Sequence, residues 1–441
     1  MAHEMAFDDI ANAPLTSEER APARREERSV PFWGLMMFTF VLLVAPQTFV
    51  PGLGALMPAK LAMAVAMGAY LVSGRQFPVT RTVQYALAFL GCAIISIPLG
   101  FWPGGSVDVF FDLLGKSLVV FILIASVVDT SRRLKILIGS MVGFGTVAAV
   151  YAVIQYRTGM LDPTGQRIAG FQSPLATNPN DLALTLNILL ALGMGLLPVT
   201  RQRNRRVLLM VAMAFLVAGI VASFSRGGFI TLGVLGVAWA VQAVRTRGVQ
   251  AIGVLLLVAV VLATVAPAEY VNRLSTMFDA EADETGSASE RWEVMGTALG
   301  YIAERPLFGM GLGNSRHVSV VRGGPDREAH NAYLKAGAEM GVIGLTVYVL
   351  FVASAYTAAR AVRRRASRRP YGAELASLAG GVELAVLTFA VGALFAPVPY
   401  HFYFYYPAGL AVALTTMMAR LDADAAPEEA TPADAAPVDE A

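Results

Sequence analysis

The chain has 441 residues, of which 56% are hydrophobic and only 15% charged. A soluble domain of this length carries about a quarter charged residues, so the composition excludes an ordinary soluble enzyme. The net charge of +2 says little about partners, but its distribution along the chain says more. No nucleic-acid partner is expected. The single cysteine, Cys92, lies in an apolar run and supplies neither a disulfide framework nor a thiolate metal cluster.

Residues 1–30 are polar and mixed in charge, with no short apolar core and cleavage site of a secretory signal, and are expected to form a cytoplasmic tail. Apolar runs follow near 31–50, 55–73, 83–102, 110–128, 134–155, 180–199, 207–224, 228–244 and 249–266. A long polar segment, 267–339, comes next. Three more runs, near 340–359, 377–397 and 403–419, precede a tail from 420 to 441 rich in Ala, Pro, Asp and Glu, which reads as disordered. Runs of about 20 apolar residues span a bilayer as helices, because lipid offers backbone groups no partners. The expectation is an all-α polytopic membrane protein with about 12 transmembrane helices in 31–266 and 340–419, and a large periplasmic segment carrying short helices.

Basic residues set the orientation. With the N-terminus inside, the inner segments hold Arg20, Arg24, Arg25 and Arg28; Arg75 and Arg81; Arg132, Arg133 and Lys135; four arginines in 201–206; Arg245 and Arg247; and six arginines in 360–369. The short outer turns near Pro51, Pro103 and Pro397 have none. This is the positive-inside pattern with both termini cytoplasmic.

The informative residues are those left outside. Arg226, in "SFSRGGF", sits between two apolar helices where an arginine is costly unless it has a partner or a task. It reads either as a snorkelling side chain or as an anion-binding group assisted by close backbone approach at Gly227 and Gly228. Arg291 lies in "SERWEVMGTALGYIAERP". Ser287 and Glu290 have capping-box spacing, Trp292, Met295, Leu299 and Ile302 recur at helical spacing, and Pro306 stops the run. An amphipathic helix on the outer membrane surface follows, with Arg291 in its first turn. The glycines of "GMGLGN" read as a loop, since no strand precedes them. In "RIAGFQSPLATNPNDLA", Arg167 is a further outer cation, and Asn180 is either a substrate contact or part of a helix cap, with Asn178 and Asp181 beside it. His330 and Asn331 stand just before the tenth span. A neutral imidazole there can take a proton from a hydroxyl near neutral pH. With arginines to match phosphate oxygens, the set points to attack of a hydroxyl on a carbon bearing a phosphate leaving group. The four histidines show no pair at metal-ligand spacing, so no metal and no cofactor is expected. "PVPYHFYFYYPAG", 397–409, reads as an interfacial aromatic girdle rather than the wall of a groove.

These motifs together resemble the O-antigen ligase and polysaccharide polymerase superfamily of bacterial inner-membrane glycosyltransferases. "HNAYLKAGAEMGVIG" fits the pattern H-[NSQ]-x9-G-x-x-G, "SRGG" its S-R-G-[AG] turn, and "RWEVMGTALGYIAERPLFGMGLGN" and "RIAGFQSPLATNPNDLA" two further stretches. The resemblance implies a donor glycan on undecaprenyl diphosphate at the periplasmic face, and an acceptor on lipid A core or on a second lipid-linked glycan. It implies that Arg226 and Arg291 hold the diphosphate and that His330 activates the acceptor hydroxyl, with Arg167, Asn180 and Asn331 as substrate-binding residues. Ligation is the first reading. Repeat-unit polymerisation, protein O-glycosylation and, from another class, transport of a lipid-linked glycan follow it. The unusual charges lie at one face rather than mid-membrane, which disfavours transport.

Overall fold

In a computed structural model of the chain, the described residues are 29–160, 167–248 apart from 169 and 172, then 250, 252–253, 256, and 287–424. They form helices α1 (Val30–Val44), α2 (Pro58–Val72), α3 (Arg81–Leu99), α4 (Pro103–Val127, with a π turn at Phe110–Leu114), α5 (Ser131–Thr158), α6 (Pro179–Leu196), α7 (Arg203–Ala222) and α8 (Arg226–Arg247). After these come α9 (Ser287–Glu304), α10 (Ser315–Val321), α11 (Ala332–Ala366), α12 (Ala373–Gly392) and α13 (Phe402–Asp424). Nine helices among the described residues are long and apolar enough to cross a membrane, and α1 is a shorter apolar one. The expected span at 249–266 lies outside the described residues, so the count of twelve rests on the sequence alone. The fold is all-α among the described residues, as the hydropathy pattern requires.

Several helices begin where a side chain satisfies the free N–H groups of the first turn. Thr80 caps α3, Thr130 caps α5 and Ser225 caps α8. Helix α6 is the axis of the bundle, buried along nearly its whole length and packed against α12, which in turn packs on α11. Around this centre, α2, α7 and α8 turn large apolar side chains outward, among them Leu61, Val65, Leu208, Phe215, Val237 and Val241. Exposed apolar faces on helices of spanning length are lipid-facing surface.

The basic residues of the expected inner segments gather at one end. Arg75 and Arg133 both bind Asp129 at 2.7 Å, Lys135 binds Glu374 at 2.8 Å, and Arg369 binds Asp422 at 2.7 Å. Several boundaries differ from the sequence reading, and two of them have a visible cause. Helix α13 continues through Asp424 rather than ending near 420, because Arg365 of α11 and Arg369 in the turn after it hold Asp422. Helix α11 starts at Ala332 rather than at 340. Hydropathy excludes Lys335 and Glu339 from a span, but here both are buried among partners supplied by protein.

At the other end, α9, α10 and the intervening turn form a small layer with its own apolar cluster of Val294, Ala298, Tyr301, Met310 and Val318, closed by Ala329 and Ala338. Trp292 and Leu299 of the expected amphipathic stripe face outward, 73% and 55% exposed. The helix therefore shows its bulkier apolar residues to the surroundings and packs a narrower face on the protein, which fits a helix lying at a membrane surface.

Candidate active site

The opposite end of the bundle, which carries the Lys335–Glu328 pair, holds a cavity of about 500 Å³. Its wall includes Arg167, Asn180, Asp181, Arg327, Glu328 and His330, together with Phe395–Val398 and His401. Three of the residues expected from the sequence, Arg167, Asn180 and His330, thus share one space although the chain separates them widely.

Local chemistry explains each position. Asn178 caps α6, its Oδ1 accepting from the N–H groups of Asn180 and Asp181 at 3.0 Å each, while its amide donates to Asp181 at 2.7 Å. Asn180 is thereby released from capping, and its Oδ1 accepts from Ser225 Oγ at 2.8 Å. Arg167 precedes a loop held by Gln155 Nε2 donating to Gly170 O and by Ser173 Oγ donating to Leu42 O. Asn331 caps α11, its Oδ1 accepting from Tyr333 N and Leu334 N at 2.9 and 3.1 Å. It fixes the helix start beside His330 and is not in the cavity wall. The same start is pinned to the end of α12 by Ala332 N donating to Ala393 O and Tyr333 Oη donating to Ala390 O.

Arg226 is the first residue of α8 and half-buried. The preceding turn is so tight that Phe224 takes a left-handed backbone, φ 51°, which is costly for a bulky residue and marks a constrained segment. Arg226 is not in the cavity wall itself, but both its neighbours touch it. Ser225 bonds Asn180, and a Cβ at Gly227 would lie 2.6 Å from that of Phe395. Gly228 lies equally close to Ala183. The two glycines therefore seat α8 against α6 and the Phe395 loop; their tight contacts are to protein rather than an opening for an anion. Arg291 stands on α9 one turn before Val294, which lines the cavity, and its own side chain lies outside the described residues.

Sequence reasoning missed the residues behind the cavity. Lys335 donates to Glu328 at 2.7 Å and lies 5.8 Å over the Tyr400 ring. Burial raises the Glu328 carboxyl, but the charge and hydrogen bond of Lys335 outweigh this and hold it below the usual carboxylate range. Burial, reinforced by Lys335, pushes the His401 imidazole down to about 4, so it stands in the cavity as a neutral group near pH 7. Glu339 is fully buried and accepts from Gly313 N at 2.8 Å, Ser315 Oγ at 2.7 Å and Tyr400 Oη at 2.6 Å. One carboxylate thus joins the glycine loop, α11 and the segment before α13. The aromatic girdle expected at 397–409 is not one: Tyr400, Tyr403, Tyr405 and Tyr406 are buried in protein, and Phe404 stacks on Phe389 at 5.1 Å. Composition at a membrane boundary is the same for either role, and only packing separates them. Among the described residues no three His, Cys, Asp or Glu side chains are grouped so as to hold a metal ion.

The spacing of the glycines also acquires a reason. Helix α11 breaks at Gly341, φ 71°, ψ −173°. The break frees backbone groups that the 306–311 loop takes up: Met310 N donates to Ala338 O, Gly311 N to Glu339 O, and Val342 N to Pro306 O, at 2.7 to 2.9 Å. A Cβ at Gly341 would lie 2.4 Å from the Leu307 carbonyl carbon. Gly341→Ala should therefore cost about 2–4 kcal/mol through backbone strain and the clash. Thermal unfolding in detergent checks this, and Ala at the roomy Gly296, where a Cβ meets nothing within 4 Å, should leave the midpoint unchanged.

These features define an all-helical, multi-pass membrane protein with a polar cavity at one end of its bundle. Residues 211–349 match the family model described as O-antigen ligase, a stretch that holds the Arg226 turn, α9, the glycine loop and the motif from His330 to Gly344. The match covers about a third of the chain and supports the superfamily read from the motifs, a membrane glycosyltransferase and a multi-pass place in the inner membrane. No curated protein matches the chain.

Proposed function

We propose that the protein is an inverting glycosyltransferase that moves a glycan from undecaprenyl diphosphate to an acceptor hydroxyl at the periplasmic face, without a metal, and that the acceptor is lipid A core. The supporting observation is the single cavity in which Arg167, Asn180 and His330 meet, abutted by the Arg226 turn. In this reading the cavity end is periplasmic and the end holding Asp129 and Glu374 cytoplasmic.

The acceptor oxygen attacks the anomeric carbon, the bond from that carbon to the phosphate oxygen breaks, and undecaprenyl diphosphate departs with the electron pair. His330 takes the hydroxyl proton. Arg226 and Arg291 bind the diphosphate more tightly as its charge grows, which lowers the barrier. Arg167 and Asn180 hold the substrate, and Asn331 keeps His330 in place from the helix start. One displacement inverts the anomeric centre, and the diphosphate linkage supplies the driving force.

Proteoliposomes containing a lipid-diphosphate glycan and lipid A core, assayed in EDTA, test the reading. Wild-type protein should transfer the glycan, and His330→Ala should reduce the rate by about 10²–10⁴-fold. Undiminished transfer by His330→Ala removes the base, and loss of transfer in EDTA removes the metal-independent scheme. Replacing lipid A core by a second lipid-linked glycan separates ligation from polymerisation.

A further inference from the structure

The same helices that reach the cavity carry a second, larger recess at their opposite ends. A groove of about 1030 Å³ lies between the first turns of α5, the end of α6, the start of α7 and the start of α12. Helix α12 runs from Glu374, in this groove, to just before Phe395, in the cavity wall, and its 20 residues separate the two recesses by about 30 Å.

The rim and the wall of this groove differ in kind. Arg132, Lys135, Arg201 and Arg205 line it, against one carboxylate, Glu374, which Lys135 already occupies at 2.8 Å. Arg201 and Arg205 are exposed and have no carboxylate in ion-pair range among the described residues. The wall below is apolar, with Ile136, Val142, Leu208 and Leu209, and it runs toward the middle of helices of spanning length. On the α5 side it is widened by Gly143, where a Cβ would meet nothing within 4 Å.

We propose that this groove is a binding site for an anionic membrane phospholipid, its phosphate held by Arg201 and Arg205 and an acyl chain laid along Gly143 and the α7 leucines. Guanidinium groups match phosphate oxygens in a fork geometry. A free phosphate gains nothing from the apolar wall, and a zwitterionic lipid gains less from the rim. Basic recesses between spanning helices select anionic headgroups on these grounds. The site lies apart from the cavity and does not depend on the transfer reaction.

Native mass spectrometry of the full chain in mild detergent, titrated with phosphatidylglycerol or phosphatidylethanolamine, tests the site. Wild-type protein should retain phosphatidylglycerol with at least tenfold preference. The double variant Arg201→Gln, Arg205→Gln should lose that preference, and Gly143→Leu, which fills the groove and keeps every cation, should lose the bound lipid. Arg364→Gln, Arg368→Gln, exposed cations at the same end of the bundle, should leave it intact. Wild-type-like binding by the double variant or by Gly143→Leu overturns the proposal. So does an equal loss in the Arg364, Arg368 control, which would mean diffuse surface charge, or displacement of the lipid by millimolar glycerol phosphate.

Discussion

Arg226→Lys is expected to lower glycan transfer by about 10²–10³-fold, the loss seen when one preorganised anion-stabilising group is removed. Lysine keeps the charge but not the planar fork, and its ammonium is a compact point donor. The position is unforgiving because the turn is fixed on all sides. Ser225 both caps α8 through Gly228 N at 3.1 Å and donates to Asn180, and Gly227 is wedged against Phe395. A lysine there cannot shift its backbone to recover the lost contact. The effect should fall on kcat more than on KM, since the charge on the departing diphosphate grows only as the bond breaks. Thermal stability should barely change, because the side chain is only half-buried. Initial rates against donor concentration in proteoliposomes, with unfolding midpoints alongside, provide the check. Unchanged kcat would remove Arg226 from leaving-group stabilisation.

Glu339→Ala should destabilise the protein by about 3–5 kcal/mol, the range for removing one member of a buried charged network. Three donors converge on this carboxylate, from Gly313, Ser315 and Tyr400, and the fully buried Tyr400 hydroxyl is left unpaired once it is gone. Lys335, itself 5% exposed, would keep its ion pair with Glu328. Glu339→Gln should lose less, because one amide oxygen still accepts while the amide group faces donors. Unfolding midpoints should order as wild type, Gln, Ala. An Ala variant as stable as wild type would show that the glycine loop is held by the backbone bonds at the Gly341 break alone.

The two cases show unequal legibility. Arg226 stood out in the sequence because an arginine between apolar helices on the sparsely basic side is anomalous on hydropathy alone. His330 and Asn180 were visible by the same logic, as polar residues at helix starts on one face. Glu339 and Lys335 were read past because a charged pair at the edge of an apolar run looks like the end of a span. Here they lie inside a helix, with partners brought from the glycine loop and from the segment before α13. The tyrosines of 400–406 were assigned to an interface by composition, and burial against α11, α12 and α1 places them in the core instead. Gly227 and Gly228 were credited with approach to an anion, and their close contacts are to Phe395 and Ala183.

Hydropathy runs and the cap residues were sufficient to place most of the helices along the chain, though not their ends. Each depends on neighbours a few residues apart, and a linear pattern records such relations directly. The cavity is different in origin. Its wall is drawn from the loop at Arg167, the cap of α6, α9, the start of α11 and the segment before α13. Their convergence follows from how α6, α11 and α12 pack and from the break at Gly341. Those are properties of helix surfaces meeting in three dimensions, where hundreds of small contacts set angle and register, and no local stretch of residues encodes them alone.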